Sequence, residues 1–188
     1  QLIGLVVLAS IWGSSFMFIK VMLDEVSPVA VGWMRLGGGA LLIAIVVAVR
    51  RTALPRDGRY WRSVMLVGAL GSAIPFVLIP WAEQEISSQL AGILNGAMPL
   101  WAALLAHLAL VEERIDRFGV FGLLLGFVGL AIVIGPGVLD VSDASTQGAL
   151  VMLLAALSYA ASAVLVRRRL RGVDSTLLAG NQTVLAFI

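Results

Sequence analysis

Long apolar runs dominate this chain, and short segments that carry most of its charge separate them. Each run is about 20 residues long, the length that an α-helix needs to cross the roughly 30 Å hydrocarbon core of a bilayer. The runs are apolar on every side, whereas a helix on the surface of a soluble protein is apolar along one stripe. The pattern predicts six membrane-spanning helices and the beginning of a seventh. The expected spans are residues 2–23, 28–49, 63–82, 88–111, 118–135 and 148–166, and the seventh starts near Thr176.

Composition supports the same fold class. Hydrophobic residues make up 60% of the 188 positions, charged residues make up 13%, and the mean hydropathy is +1.01. A soluble domain has about 25% charged residues. The sequence therefore predicts an all-α, polytopic transmembrane helical bundle that has the lipid bilayer as its surroundings.

The loops alternate in charge. Eleven of the 13 basic residues fall in every second loop, and the other loops are acidic or neutral. The eleven are Arg50, Arg51, Arg56, Arg59, Arg62, Arg114, Arg117, Arg167, Arg168, Arg169 and Arg171. By the positive-inside rule these loops and the N-terminus face the cytoplasm. Topology thus accounts for the sequence pI of about 9.7, and no nucleic-acid partner is expected.

Composition also excludes several kinds of chemistry. The chain has no cysteine, so no disulfide framework, thiolate metal site or catalytic thiol is available. The lone His107 cannot build a histidine-rich metal site. Paired carboxylates and a His-Ser pair are missing at membrane depth, and no nucleotide-binding Walker motif is present. We therefore predict no catalytic residue, no metal and no cofactor, and we do not expect an enzyme.

An internal repeat is visible at a shift of 147 residues. The shift places Trp12-Gly13-Ser14-Ser15 over Tyr159-Ala160-Ala161-Ser162, Lys20 over Arg167, and Arg35 over Gln182. Five spans are an odd number, so a second copy would enter the membrane from the opposite side, as in inverted-repeat transporters. We expect a first five-helix repeat in residues 1–135, an extracytoplasmic linker in residues 136–147, and the start of an inverted second repeat in residues 148–188.

Glycine, proline and polar residues lie near the predicted midplane of every span. Such residues disturb helix hydrogen bonding or allow close packing, and transporter sites commonly lie at this depth. We interpret them as walls of a central cavity. The candidate cavity residues are Trp12, Ser14, Ser15, Arg35, Asn95, Pro99, Trp101 and Tyr159. The serines and Asn95 could instead join helix to helix.

Arg35 has two interpretations, because a charge inside a span is costly unless it is paired or hydrated. It could bind an anion or carboxylate in the cavity. Alternatively, it could form an ion pair with Glu83 or Glu85 or extend outward to the interface.

The fifth span has a face made of glycine. Gly119, Gly122, Gly126 and Gly129 are spaced three, four and three residues apart, which places them on one side of a helix. Small residues let membrane helices approach closely. This face is expected to pack against another helix of the chain or to form a homodimer.

Short motifs occur in order along the first five spans. They are Trp12-Gly13-Ser14-Ser15-Phe16, Ser27-Pro28, Arg35, residues 93–104 (ILNGAMPLWAAL), Glu113, and Gly122-x-x-x-Gly126-x-x-Gly129. Together they resemble the EamA domain of the drug/metabolite transporter superfamily. The resemblance covers one complete repeat and the start of a second.

This resemblance implies a fold of ten helices, in two inverted five-helix repeats around a central cavity. The chain starts without Met and stops within an apolar run, so we expect it to be a fragment of that fold. The implied function is secondary-active or facilitative transport, often export, of small metabolites, amino acids or drugs by alternating access. Proton coupling and the bacterial inner membrane are part of this expectation. The alternatives are an intramembrane enzyme and a non-transporting membrane scaffold.

Overall fold

The computed structural model describes residues 2–50, 55, 57–135, 143–173 and 175–187. All regular secondary structure in these residues is helical, and six of the helical segments are long and apolar enough to cross a membrane. The all-α polytopic bundle predicted from the sequence is confirmed.

The helices match the predicted spans closely. They are α1 (Leu2–Met22), α2 (Pro28–Arg50), α3 (Gly58–Gly68), α4 (Ile74–Glu85), α5 (Ser88–Asn95), α6 (Met98–Ala109), α7 (Arg117–Ile134), α8 (Ala144–Arg169) and α9 (Ser175–Phe187). A π-helical segment, Ala69–Ala73, joins α3 to α4, and a single 3₁₀ turn, Val111–Glu113, follows α6. The third span therefore begins at Gly58 rather than Ser63. Of the expected linker, residues 136–142 lie outside the described residues, and α8 already begins at Ala144.

Side-chain caps fix the start of four helices. Asp57, Ser87, Asp116 and Asp143 each accept a hydrogen bond from a main-chain N–H in the first turn of the following helix, at 2.9, 3.2, 2.9 and 2.8 Å. Such caps satisfy donors that have no partner within the helix. They place the breaks between spans at short polar turns.

The fourth span, predicted for residues 88–111, is present but is interrupted near its middle. The chain turns at Gly96 and Ala97, so that α5 ends at Asn95 and α6 begins at Met98. Pro99 therefore lies in the first turn of α6, where its missing N–H leaves no helical hydrogen bond unmade. The pattern of apolar residues cannot distinguish one kinked helix from two short ones, because both are apolar throughout.

One main-chain carbonyl in the third span lacks a helical donor, and a side chain of α8 supplies one. In the π-helical segment, the N–H of Ile74 donates to the carbonyl of Ala69. The same pattern would require Pro75 to donate to Leu70, and proline has no N–H. Ser158 of α8 donates to that carbonyl instead, with 2.7 Å between Oγ and O. Ser162, one turn further along α8, donates to the carbonyl of Val67 at 3.1 Å.

Helix α8 lies at the centre of the bundle. It packs against α3, α4, α5, α6 and the π-helical segment, whereas α9 packs against α2 and α3. Ala149, Met152, Ala155 and Ala156 of α8 are fully buried. Helices α1 and α7 are mostly exposed, and their apolar side chains suit contact with lipid. The helix that opens the expected second repeat thus packs among the helices of the first.

The glycines differ in how closely other helices approach them. A Cβ at Gly126 would lie 2.7 Å from Leu100 of α6, whereas one at Gly119 would meet Ile115 of its own turn. Gly122 and Gly129 have no described atom within 4 Å of such a Cβ. Their packing role, and a homodimer through this face, stay predictions.

Gly32 provides a test of the packing between α2 and α4. A Cβ at Gly32 would lie 2.5 Å from the carbonyl oxygen of Phe76, whereas one at Gly38 of the same helix would meet nothing within 4 Å. We expect Gly32→Ala to lower the free energy of unfolding by about 1–3 kcal/mol, because the added methyl group overpacks the contact between α2 and α4. Gly38→Ala should change it little. The measurement is the fraction of detergent-purified protein that stays monodisperse after heating. Equal losses in the two variants would contradict the close approach of α2 and α4 at Gly32.

Candidate functional site

A cavity of about 510 Å³ lies between α1, α6, α8, α9 and the π-helical segment. Trp12 and Tyr159 form aromatic walls, and Ser162 and Gln182 supply polar groups. The cavity extends along α8 from Tyr159 to Arg167, about 12 Å at the rise of an α-helix. Arg167 lies at what we call the arginine-rich end of the bundle, formed by the start of α3, the α6–α7 turn and the C-terminus of α8. The cavity therefore connects the middle of the bundle to this end.

Two of the eight predicted cavity residues meet there. Trp12 and Tyr159 line the same cavity, although 147 positions separate them in the sequence. The other six are described by the structure but are not among its lining residues. Ser14, for example, donates to the carbonyl of Ile11 in its own helix at 3.0 Å. A role for these six in substrate binding stays a prediction.

Arg35 is held inside the bundle by α1 and α4. Its Nη2 donates to Oγ of Ser15 at 3.1 Å, and its guanidinium carbon lies 4.5 Å from the centre of the Phe76 ring. The ion pair with Glu83 or Glu85 that we considered is not formed among the described residues. The guanidinium acts on Glu83 and Tyr159 only through longer-range electrostatics. Its Nη1 is buried and has no acceptor among the described residues.

The turn between α4 and α5 holds a second cation. Nζ of Lys20 donates to the main-chain carbonyls of Glu83 and of Ile86, the latter at 3.1 Å. These carbonyls belong to the last turn of α4 and its cap, where helix carbonyls lack internal donors. The side chain of Glu83 is fully buried, and neither of its carboxyl oxygens accepts a hydrogen bond from the described residues.

Asn95 and Trp101 lie away from the cavity. Trp101 packs edge-on against Phe127 of α7, with ring centres 4.7 Å apart, and its buried Nε1 has no acceptor in the described part of the chain. Oδ1 of Asn95, at the end of α5, is also buried and has no donor there. Both are unsatisfied polar groups of the kind that a ligand, or a further part of the protein, would complete.

Two ion pairs tie the α6–α7 turn to α8 at the arginine-rich end. Glu113 and Arg167 are 2.6 Å apart, and Glu112 and Arg171 are 3.2 Å apart. His107 supports this turn, because its Nδ1 accepts a hydrogen bond from the N–H of Ile115 at 3.1 Å. The sequence alone did not indicate these partners of the two glutamates.

The internal repeat could have identified several residues that were missed. The 147-residue shift pairs Ser162 with Ser15, Gln182 with Arg35, and Arg167 with Lys20. The first member of each pair lines the cavity. Carrying the candidates Ser15 and Arg35 across to their equivalents would have predicted Ser162 and Gln182.

Comparison with known proteins identifies the protein family. Residues 2–135 match the model of the EamA-like transporter family, and the chain belongs to that family. It is similar to the uncharacterized transporter YoaV of Bacillus subtilis, with 22% identity over 92% of this chain and 59% of the relative. It is also similar to an uncharacterized transporter of Archaeoglobus fulgidus, with 24% identity over 99% of this chain and 64% of the relative.

A further relative also matches this chain over part of its own length. Protein PagO of Salmonella typhimurium is 24% identical over 79% of this chain and 49% of its own length. The chain thus spans about half to two thirds of the length of these relatives. No solved structure matches it significantly. The family and the apolar helices together define an integral membrane protein of a transporter family.

The two ion pairs should differ in their contribution to stability. The side chain of Glu113 is 32% exposed and that of Glu112 is 78% exposed, so water screens the second pair more strongly. We expect Glu113→Gln to lower the free energy of unfolding by up to about 1 kcal/mol. The measurement is the melting temperature in detergent at low salt. Glu112→Gln is the matched control and should have a smaller effect. A larger loss from Glu112→Gln would contradict the assignment.

Proposed function

We propose that this protein is a secondary-active or facilitative transporter that exports small metabolites, amino acids or drugs by alternating access. The observation that carries the proposal is the cavity between α1, α6, α8 and α9, which reaches from the middle of the bundle to one end. Membership of the EamA-like transporter family supports it. An alternating-access carrier needs a site at mid-depth that opens to one side at a time.

The charge of the loops supports an orientation. Arg59, Arg62, Arg114 and Arg117 lie at the same end as Arg167, and the positive-inside rule puts that end in the cytoplasm. In this orientation the cavity opens inward, and a substrate for export would enter it from the cytoplasm of a bacterial cell.

The lining of the cavity suits a small amphipathic substrate. A volume of about 510 Å³ lies within the range of roughly 300–1,000 Å³ that is usual for small-molecule sites. Trp12, Met98 and Tyr159 offer apolar contact, and Gln182 offers hydrogen bonds. The polar groups of Ser162 and Arg167, which also line the cavity, are already bonded to Val67 and Glu113. So few polar groups favour weak binding, which lets a carrier release its cargo on the other side.

Blocking the cavity should abolish export. We expect cells that express the full-length protein to accumulate at least one small molecule in the medium several-fold above cells that lack it. Ala163 lines the cavity, so Ala163→Trp should remove this difference by filling the space. The measurement is mass spectrometry of the medium without preselection of compounds.

Leu154 provides the control on the same helix. Its side chain is 54% exposed and does not line the cavity, so Leu154→Trp should leave export intact. If no compound depends on the protein, or if Ala163→Trp exports as well as the parent, the proposed function is wrong.

Water access to the cavity separates a carrier from a non-transporting scaffold. The chain has no cysteine, so single cysteines can be introduced freely. We expect Ala163→Cys to react with a membrane-impermeant maleimide in inside-out vesicles. Ala160→Cys, on the same helix but fully buried, should react several-fold more slowly. Equal protection of both positions would favour a dry, packed scaffold.

A further inference from the structure

Glu83 is a carboxyl group inside a membrane-spanning helix. It lies near the end of α4, within the candidate span Gly58–Glu85, and its side chain is fully buried. Neither Oε1 nor Oε2 has a hydrogen-bond partner among the described residues. A carboxylate in such surroundings is strongly unfavourable, because nothing replaces the water that it loses. A neutral, protonated carboxyl group fits the observed geometry better.

The cations near Glu83 are engaged elsewhere. Lys20 of α1 donates to main-chain carbonyls of Glu83 and Ile86, and Arg35 of α2 donates to Ser15 and packs on Phe76. Both cations nevertheless act on Glu83 electrostatically. The site can therefore hold Glu83 in a neutral form and, after rearrangement, in an ionised form.

The other elements that pack on α4 add few charges. Tyr159 of α8 interacts with Arg35, and Asp143 at the start of α8 caps its own helix. Helix α5 and the π-helical segment contain no titratable residue. Glu85, on α4 itself, is exposed. The charge state of Glu83 thus depends first on its burial and then, among the charged groups, on Arg35 and Lys20.

We propose that the carboxyl group of Glu83 binds and releases the proton that is exchanged for substrate. The proposal rests on the proposed transport function and names its coupling ion. Glu83 lies at the end opposite the arginine-rich end, which is the outer side in the proposed orientation. A carboxylate there would take up one proton from outside and release the same proton to the cytoplasm after the transporter changes its access. No other reactant is needed.

Infrared spectroscopy of the full-length protein in liposomes tests proton binding without knowledge of the substrate. The probe is the proton itself, in difference spectra between acidic and alkaline pH. We expect the wild-type protein to show the band of a buried carboxylic acid that is lost in Glu83→Gln. Glu85→Gln, two residues away and exposed, should keep it. Glu83→Asp, which retains a carboxyl group, should show the band at a shifted position.

A spectrum that is the same in the wild type and Glu83→Gln would overturn the proposal. A second measurement tests coupling. Using a compound found in the export experiment, a protonophore should abolish export by the wild-type protein but should not lower the remaining downhill flux of Glu83→Gln. Wild-type export that continues undiminished with the protonophore would overturn the coupling role while leaving transport itself intact.

Discussion

A main-chain carbonyl inside the hydrocarbon region must find a donor within the protein, and this constraint organises the bundle. Pro75 leaves the carbonyl of Leu70 without its helical donor, and Ser158 of α8 supplies one. Ser162 does the same for Val67. The two hydrogen bonds fix the rotation of α8 against the third span. Because Tyr159 and Ala163 follow these serines directly, the same rotation turns both of them toward the cavity.

At each end of the bundle, a cation in the last turn of one helix binds the turn beside it. Lys20 in the last turn of α1 binds carbonyls of the α4–α5 turn, and Arg167 near the end of α8 binds Glu113 in the α6–α7 turn. The repeat shift pairs these two cations. Each helix is thereby tied to the turn beside it, at opposite ends of the bundle. Movements of the two helices would have to break or exchange these contacts.

The sequence predicts the spans well because their length and apolar character are properties of single segments, which the bilayer imposes directly. The partners of the polar residues depend on how each helix is rotated against its neighbours, and no single segment contains that information. An ion pair was one interpretation of Arg35, and the structure gives it Ser15 and Phe76 as neighbours instead. Trp101 is a predicted cavity residue, and no pattern in its own segment indicates its contact with Phe127. The internal repeat is the exception, because it relates two helices to each other.

The cavity contains residues from equivalent positions of the internal repeat. Trp12 of α1 and Tyr159 of α8 occupy equivalent positions under the repeat shift, and both line one cavity. Two equivalent groups of an inverted repeat can share a site only near the axis that relates the repeats. A site on that axis keeps contact with both repeats when one rocks against the other, while its opening changes sides. In the proposed carrier, the aromatic pair would therefore be the part of the site that keeps contact with a cargo as access changes.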